Sequence, residues 1–169
     1  MKHDQILTQQ LVKAKSNSNI LGFLVFGSVA TGTHHEKSDI DLIIILRNHT
    51  PSSGLENIVI DDIKVGKTFF TYEVLSHSVN TVPYLLHILV NAKLLLDREN
   101  TIKPLIEKIT NYFMQHPEIE DEWNQYYNQL SEEKKQFGYE KTTIIDVWNK
   151  LENRYSGGEI KRTFLREYG

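Results

Sequence analysis

The chain has 169 residues and a formal net charge of −3, with 40% hydrophobic residues, 24% charged residues and no cysteine. This length fits one ordinary domain, or a compact α/β unit with a helical extension, and the composition is globular. The lack of cysteine excludes disulfides, thiolate zinc sites and cysteine nucleophiles, and the small negative charge gives no general reason to expect binding to a polyanion.

The sequence carries no signal for secretion or membrane insertion. Its first residues, Met-Lys-His-Asp-Gln-Ile-Leu-Thr, lack the apolar segment of a secretory signal. No apolar run approaches the roughly 20 residues that a membrane helix needs. We therefore expect a cytoplasmic protein that does not associate with membranes.

The first two predicted elements are a helix and a strand. Apolar residues at helical spacing predict an amphipathic helix over residues 4–14, and the turn-forming Ser and Asn residues at 16–19 end it. Residues 20–26 form a continuous apolar run. Such a run is typical of a short strand that is buried on both faces.

A Gly-Ser turn follows this strand. Residues 29–31 favour a brief helix that Gly32 ends. Gly27 allows a ligand to approach the backbone closely, and Ser28 can cap the short helix. Because the free N–H groups at a helix start form an anion site, the turn is suited to hold a phosphate group.

The second apolar strand, residues 38–46, begins with two alternate aspartates. Side chains alternate along a strand, so Asp39 and Asp41 point to one face and Ile40 to the other. Two neighbouring carboxylates beside an apolar strand are unfavourable unless a cation lies between them. Mg²⁺ usually binds through one or two carboxylates plus substrate phosphates, so we predict that Asp39 and Asp41 bind Mg²⁺ and link it to a phosphate chain held at Ser28.

The next segment predicts a hairpin. After a polar loop at residues 47–54, two β-rich runs flank the pair Asp61-Asp62, which we place at the hairpin tip. The run at residues 68–72 predicts the third strand of the sheet.

The remainder of the chain predicts helices. A largely buried helix starts near Pro83, and residues 94–96 either belong to it or form a short strand before Asp97. Helices are also predicted over residues 101–115, 117–136 and 142–155. We therefore divide the chain into an α/β domain, residues 1–97, and a helical C-terminal extension, residues 98–169.

The central motif resembles that of a known family. Gly27-Ser28, ten intervening residues and Asp39-Ile40-Asp41 resemble the nucleotidyltransferases of the DNA polymerase beta superfamily, above all its minimal and antibiotic-modifying members. The resemblance covers roughly residues 20–97. It implies an α/β (α+β) nucleotidyltransferase fold, in which a small mixed sheet is flanked by helices.

The resemblance also implies roles for single residues. Gly27 and Ser28 would bind the nucleotide phosphates, and Asp39 and Asp41 would bind Mg²⁺. Ser38 lies at the loop edge before the aspartates, where it either lines the nucleotide pocket or is simply exposed.

A third acidic residue on a later strand completes the metal site in this family and helps to deprotonate the acceptor hydroxyl. The family pattern places it near Thr68, which is not a carboxylate. We take Glu73 as the candidate catalytic residue, with Asp61, Asp62 or no third acid as the alternatives. General-base help is typically worth about 10²–10⁴-fold in rate, so a site with two acids would have weaker or absent catalysis.

The resemblance implies transfer of a nucleoside monophosphate from a nucleoside triphosphate, with ATP as the expected donor, to an acceptor hydroxyl. Mg²⁺ would be the cofactor, pyrophosphate the by-product, and a small molecule or a protein the acceptor. The alternative is a degenerate member that binds nucleotide or a protein partner without turnover, for example in a toxin–antitoxin pair. Small members of this superfamily often complete their site in dimers, so a homodimer is also expected.

Overall fold

The computed structural model describes residues 2–81, 88–115 and 117. Its fold is mixed α/β, with a five-stranded sheet flanked by helices, which confirms the predicted fold class. The elements in chain order are α1 (Lys2–Ser16), β1 (Ile20–Phe26), α2 (Gly27–Thr31), β2 (Ile40–Leu46), β3 (Ser53–Ile60), β4 (Ile63–Thr71), α3 (Tyr72–Thr81), β5 (Lys93–Asp97) and α4 (Ile102–Gln115).

The sheet has the strand order β3-β4-β2-β1-β5 and is mixed, as predicted. The central strand β2 pairs antiparallel with β1 and parallel with β4. β3 and β4 form the predicted hairpin, and β5 pairs antiparallel with β1. In this arrangement the end of β1, the start of β2 and the first half of β4 lie next to one another, at the same end of the strands.

The core lies on both faces of β1 and β2, as the continuous apolar runs predicted. On one face, Ile6 and Ala14 of α1 pack in a cluster with Phe23 of β1 and Leu42 of β2. The alternate residues of the same strands are buried as well, and they include Leu24, Ile43 and Ile45. Two strands with so little exposed surface fix the positions of the residues at their ends.

The third strand, predicted to end at residue 72, ends one residue earlier and is followed by a helix that the sequence pattern did not predict. β4 ends at Thr71, and α3 begins at Tyr72. The backbone N–H of Val74 donates to Thr71 Oγ1 at 3.4 Å, which satisfies one of the free N–H groups at the helix start. Leu75, one helical turn further on, is fully buried. Glu73 therefore lies in the first turn of a helix.

The structure decides between the two alternatives for residues 94–96, which belong to strand β5. The helix predicted over residues 101–115 is confirmed as α4. Residues 88–90 are helical, whereas residues 82–87 lie outside the described part of the chain. The helices predicted over residues 117–136 and 142–155 also lie outside it, apart from residue 117.

Packing divides the chain into two compact units. The first unit, Met1–His77 with Asn91–Ile106, contains all the strands described above. The second unit, Ser78–Val90 with Glu107–Gly169, is helical in its described residues. The division into domains of residues 1–97 and 98–169 stays a prediction. Among the helices that the structure describes, none has the length and apolar character to cross a membrane.

Candidate active site

The turn after β1 is sharper than the sequence indicated. Gly27 has φ +71°, so the chain enters α2 directly, and Gly32 ends this helix in a left-handed conformation. The cap residue of α2 is Phe26, and no side chain caps the helix. The prediction that Ser28 caps the helix is therefore wrong, because α2 begins at Gly27, one residue before Ser28. The role of Ser28 in phosphate binding stays a prediction.

Asp41 lies directly against this turn. In the sheet, Phe26 of β1 pairs with Asp41 of β2. A Cβ atom built on Gly27 would lie 2.9 Å from Asp41 Oδ2, which is closer than real Cβ atoms approach their neighbours. Gly27 is thus required for its conformation and for the space that it leaves beside this carboxylate.

A second glycine lies on the other side of Asp41. Gly66 of β4 pairs with Asp41 on one side and with Asn57 of β3 on the other. A Cβ atom built on Gly66 would lie 3.4 Å from Asp41 Oδ1 and also 3.4 Å from Asn57 Oδ1. The Asp41 carboxylate and the Asn57 amide oxygen thus both lie beside the place that a side chain at position 66 would occupy.

Asp39 faces a lysine. The pairing of Ile40 with Val65 places Lys64 beside Asp39, and Lys64 Nζ lies 3.6 Å from Asp39 Oδ2. Both side chains are about half exposed, at 53% for Lys64 and 47% for Asp39. Strand β4 therefore presents an ammonium group to the acid pair.

The electrostatic environment of Asp41 disfavours its charged form. Burial, followed by the negative charge of Asp39, raises the pKa of Asp41 to about 6, and Lys64 opposes this shift. A divalent cation would relieve both unfavourable effects. Asp39, Asp41 and the amide oxygen of Asn57 are oxygen donors of the kind that Mg²⁺ prefers, so these residues fit the ion that the family implies.

The structure does not bring Glu73 to the acid pair, which corrects the prediction that Glu73 completes the metal site. Gly66 is the β4 residue beside Asp41, whereas Thr71, the last residue of β4, pairs with Leu46. At about 3.3 Å per strand residue, the end of β4 lies about 16 Å along the sheet from Asp41. Glu73 follows beyond that end and is exposed.

The other candidate acids lie at the hairpin tip, as predicted. Asp61 and Asp62 have positive φ values of 50° and 66° and line a cavity of about 730 Å³ together with His34 and His35. Neither Asp39 nor Asp41 lines this cavity. Within residues 2–81, 88–115 and 117, no group of three or more His, Cys, Asp or Glu side chains is arranged to hold a metal.

Ser38 stabilises the loop before the aspartates. Its Oγ accepts a hydrogen bond from the backbone N–H of His35 at 2.9 Å, and its carbonyl oxygen lies 2.8 Å from Nε2 of the buried His3. These two contacts hold the backbone that leads into Asp39. The alternative role of Ser38, in lining a nucleotide pocket, stays a prediction.

Sequence comparison assigns the chain to a family. The family model described as the nucleotidyltransferase domain matches residues 7–167. The chain belongs to the nucleotidyltransferase domain family. This membership confirms the resemblance to the polymerase beta type of nucleotidyltransferase that the Gly-Ser and Asp-x-Asp motifs indicated.

Two proteins illustrate what this nucleotidyltransferase domain is similar to. A Methanocaldococcus jannaschii protein named "Putative protein adenylyltransferase" is 29% identical over 136 residues, which are 68% of this chain and 86% of that protein. The crystal structure of a nucleotidyltransferase-like protein from Exiguobacterium sibiricum covers 64% of this chain, with a TM-score of 0.52 and 12% identity. The chain spans 38% of that protein's structure, and the likeness shows the fold alone.

Proposed function

We propose that this nucleotidyltransferase domain transfers a nucleoside monophosphate from a nucleoside triphosphate to an acceptor hydroxyl, with Mg²⁺ as cofactor and pyrophosphate as by-product. The close approach of Gly27 to Asp41 Oδ2 carries this proposal. It sets the more buried of the two acids directly against the turn that would hold the phosphates. A cation bound by the acids and a phosphate chain bound at the turn would then be neighbours.

Each residue of the site has a defined task in this proposal. Asp39 and Asp41, together with the Asn57 amide oxygen, would hold Mg²⁺, which would supply charge neutralisation for the phosphates. Gly27 leaves room for the triphosphate at the turn, and the Ser28 hydroxyl donates a hydrogen bond to it. Most of the catalysis would come from positioning and electrostatic stabilisation, as in other phosphoryl transfers.

The reaction forms one bond to phosphorus and breaks another. The acceptor oxygen bonds to the α-phosphorus, and the bond from this phosphorus to the oxygen that bridges to the β-phosphate breaks. Pyrophosphate leaves with that bridging oxygen, and the hydroxyl proton is lost to water. We propose ATP as the donor and a protein hydroxyl as the acceptor, because the name of the M. jannaschii relative specifies protein adenylylation.

One observation supports a second candidate function, which is nucleotide binding without turnover. Strand β4 contains no Asp or Glu, and it places Lys64 beside Asp39. A site without a third acid lacks the base that the family uses for the acceptor hydroxyl. A catalytically degenerate domain that binds nucleotide or a protein partner would tolerate this arrangement.

Ligand-dependent unfolding of the full chain tests both candidates. Each of ATP, GTP, CTP and UTP is added with and without Mg²⁺, and transfer is followed with α-³²P-labelled nucleotide and by pyrophosphate release. We expect Mg-ATP at about 100 times its Kd to stabilise the protein by about 2.7 kcal/mol. The Asp39→Asn/Asp41→Asn double variant, which keeps the side-chain shapes, should abolish this stabilisation.

The outcomes separate the candidates. Stabilisation with pyrophosphate release and labelling of a protein in a cell extract supports transfer. Stabilisation without release in that extract supports the second candidate. If no nucleoside triphosphate stabilises the protein, both candidates fail.

A further inference from the structure

Lys64 is the cationic group of strand β4 that faces the acid pair. Along β4, residues 64, 66 and 68 lie on the face that carries Asp39 and Asp41, whereas Val65 and Lys67 lie on the opposite face. The four residues of β4 on the acid face are Lys64, Gly66, Thr68 and Phe70, and Lys64 is the charged one. The strand therefore offers the two carboxylates one side chain that can interact with them through its charge.

We propose that Lys64 is a phosphate-binding residue that pairs with Asp39 in the nucleotide-free protein and with the triphosphate in the nucleotide-bound protein. This inference rests on the proposed function and adds to it a residue with two alternative partners. The 3.6 Å separation of Lys64 Nζ from Asp39 Oδ2 shows the first partner.

The chemistry of the lysine side chain suits an exchange of partners. An ammonium group at the end of four methylene groups acts as a movable point charge, and lysine binds phosphate in this way in other nucleotide sites. The ion pair with Asp39 is half exposed, and pairs of this kind contribute little stability. A triphosphate carries more negative charge than one carboxylate and would compete effectively for Lys64.

The position of Lys64 gives its charge opposite effects on the two ligands. In the absence of nucleotide, the ammonium group repels a divalent cation from Asp39 and Asp41, which weakens metal binding. In the presence of nucleotide, the same charge attracts the phosphates and strengthens binding of the metal–nucleotide complex. Removal of the charge should therefore raise one affinity and lower the other, which loss of a merely structural contact would not do.

The test compares Lys64→Met with Lys67→Met in the full chain. Lys67 is a matched control because it lies on the same strand, points to the opposite face and pairs with Glu56 at 3.2 Å. Mn²⁺ alone is titrated and its free concentration is followed by electron paramagnetic resonance. Binding of a non-hydrolysable ATP analogue with Mg²⁺ is measured by calorimetry, and circular dichroism verifies the fold of each variant.

We expect Lys64→Met to bind Mn²⁺ alone about tenfold more tightly and the Mg–ATP analogue about tenfold more weakly than the wild type. Lys67→Met should change neither affinity by more than about twofold. If Lys64→Met leaves both affinities unchanged, or shifts both in the same direction, while the wild type binds the analogue, the role of Lys64 is overturned and the proposed function stands. If the wild type does not bind the analogue, the proposed function fails, and the phosphate role of Lys64 fails with it.

Discussion

At the scale of single residues, the site is built around the carboxylate of Asp41. Gly27 leaves space at Oδ2 and Gly66 leaves space at Oδ1, because neither residue has a side chain. Burial and the neighbouring Asp39 nevertheless disfavour the charged form and raise the pKa to about 6. The same surroundings that leave room for a cation thus make the metal-free anion unfavourable.

This environment predicts a pH-dependent effect of Asp41→Asn. The pKa of Asp41 is about 6 in the folded protein, against an ordinary pKa of 3.8 for an aspartate in water. Between these values the folded protein binds more protons than the unfolded chain, so its stability falls as pH rises through this window. In EDTA, Asp41→Asn should raise the free energy of unfolding by on the order of 2 kcal/mol at about pH 7.5, and by little at about pH 4.

Urea unfolding of the wild type and the variant at both pH values measures this difference. Asp62→Asn, at the exposed hairpin tip, is the matched control for the replacement of a carboxylate by an amide. A wild type that is more stable than Asp41→Asn in EDTA at about pH 7.5 would contradict the prediction.

At the scale of elements, Asp97 and Arg98 connect the sheet to two helices. The Asp97 carboxylate accepts hydrogen bonds from the backbone N–H groups of Thr101, Ile102 and Lys103 at the start of α4, at 2.8–3.1 Å. Arg98 donates to three carbonyl oxygens near the junction of α1 and β1, those of Lys15, Asn17 and Ile20. These two residues therefore act as structural connectors.

Loss of the Asp97 carboxylate should destabilise the start of α4. Helix-capping side chains typically contribute about 0.5–2 kcal/mol, and three hydrogen bonds to one charged group place Asp97→Ala in the upper half of that range. Asp97→Asn should retain part of the stabilisation. The exposed pair of Glu99 with Arg47 supplies the control, since Glu99→Ala should cost about 1 kcal/mol or less. Equal losses for Asp97→Ala and Glu99→Ala in urea unfolding would refute the capping role.

At the scale of the whole molecule, the sequence pattern predicted correctly the elements that are buried along most of their length. Strands β1 and β2 are apolar on both faces and could be predicted from composition alone. Helix α3 was missed because the sequence from Tyr72 to Leu75 fits a strand as well as a helical turn. The Thr71 contact that marks the helix start depends on a side-chain rotamer, which a propensity pattern does not specify.

The candidate site divides in the same way. The turn at Gly27 directly follows β1 and the acid at Asp41 lies on β2, and these two strands are neighbours in sequence and pair directly. The approach of Lys64 to Asp39 depends instead on the parallel register of β2 and β4, which the whole sheet sets. A β4 register shifted by one residue would turn Lys64 to the other face. The contact of Lys64 with Asp39 could therefore not be predicted from the sequence. The sequence did indicate that Lys64, Gly66 and Thr68 share one face of the strand, because side chains alternate along it.

Metal binding should be coupled to the stability of the full chain. At about pH 7.5 Mg²⁺ would neutralise the unfavourable charge of Asp41, whereas at about pH 5, below the raised pKa of Asp41, a proton competes for this carboxylate. We therefore expect Mg²⁺ to raise the Tm more at about pH 7.5 than at about pH 5. Scanning calorimetry with Mg²⁺ or EDTA measures the effect, and the Asp39→Asn/Asp41→Asn variant should remove it. An equal increase in Tm in that variant would show that Mg²⁺ binds elsewhere.

The glycine at position 66 also bears on how such a site changes during evolution. Every glycine codon becomes an aspartate or glutamate codon by a change of its second base. A side chain at position 66 would start beside two oxygen atoms that can bind a metal, Asp41 Oδ1 and Asn57 Oδ1. The Cβ atom of an acidic side chain at position 66 would lie 3.4 Å from Asp41 Oδ1, which is an acceptable contact. The same change at Gly27 would cause steric overlap, because its Cβ atom would lie 2.9 Å from Asp41 Oδ2. A site with two acids and a lysine therefore lies one nucleotide substitution away from a site with three acids.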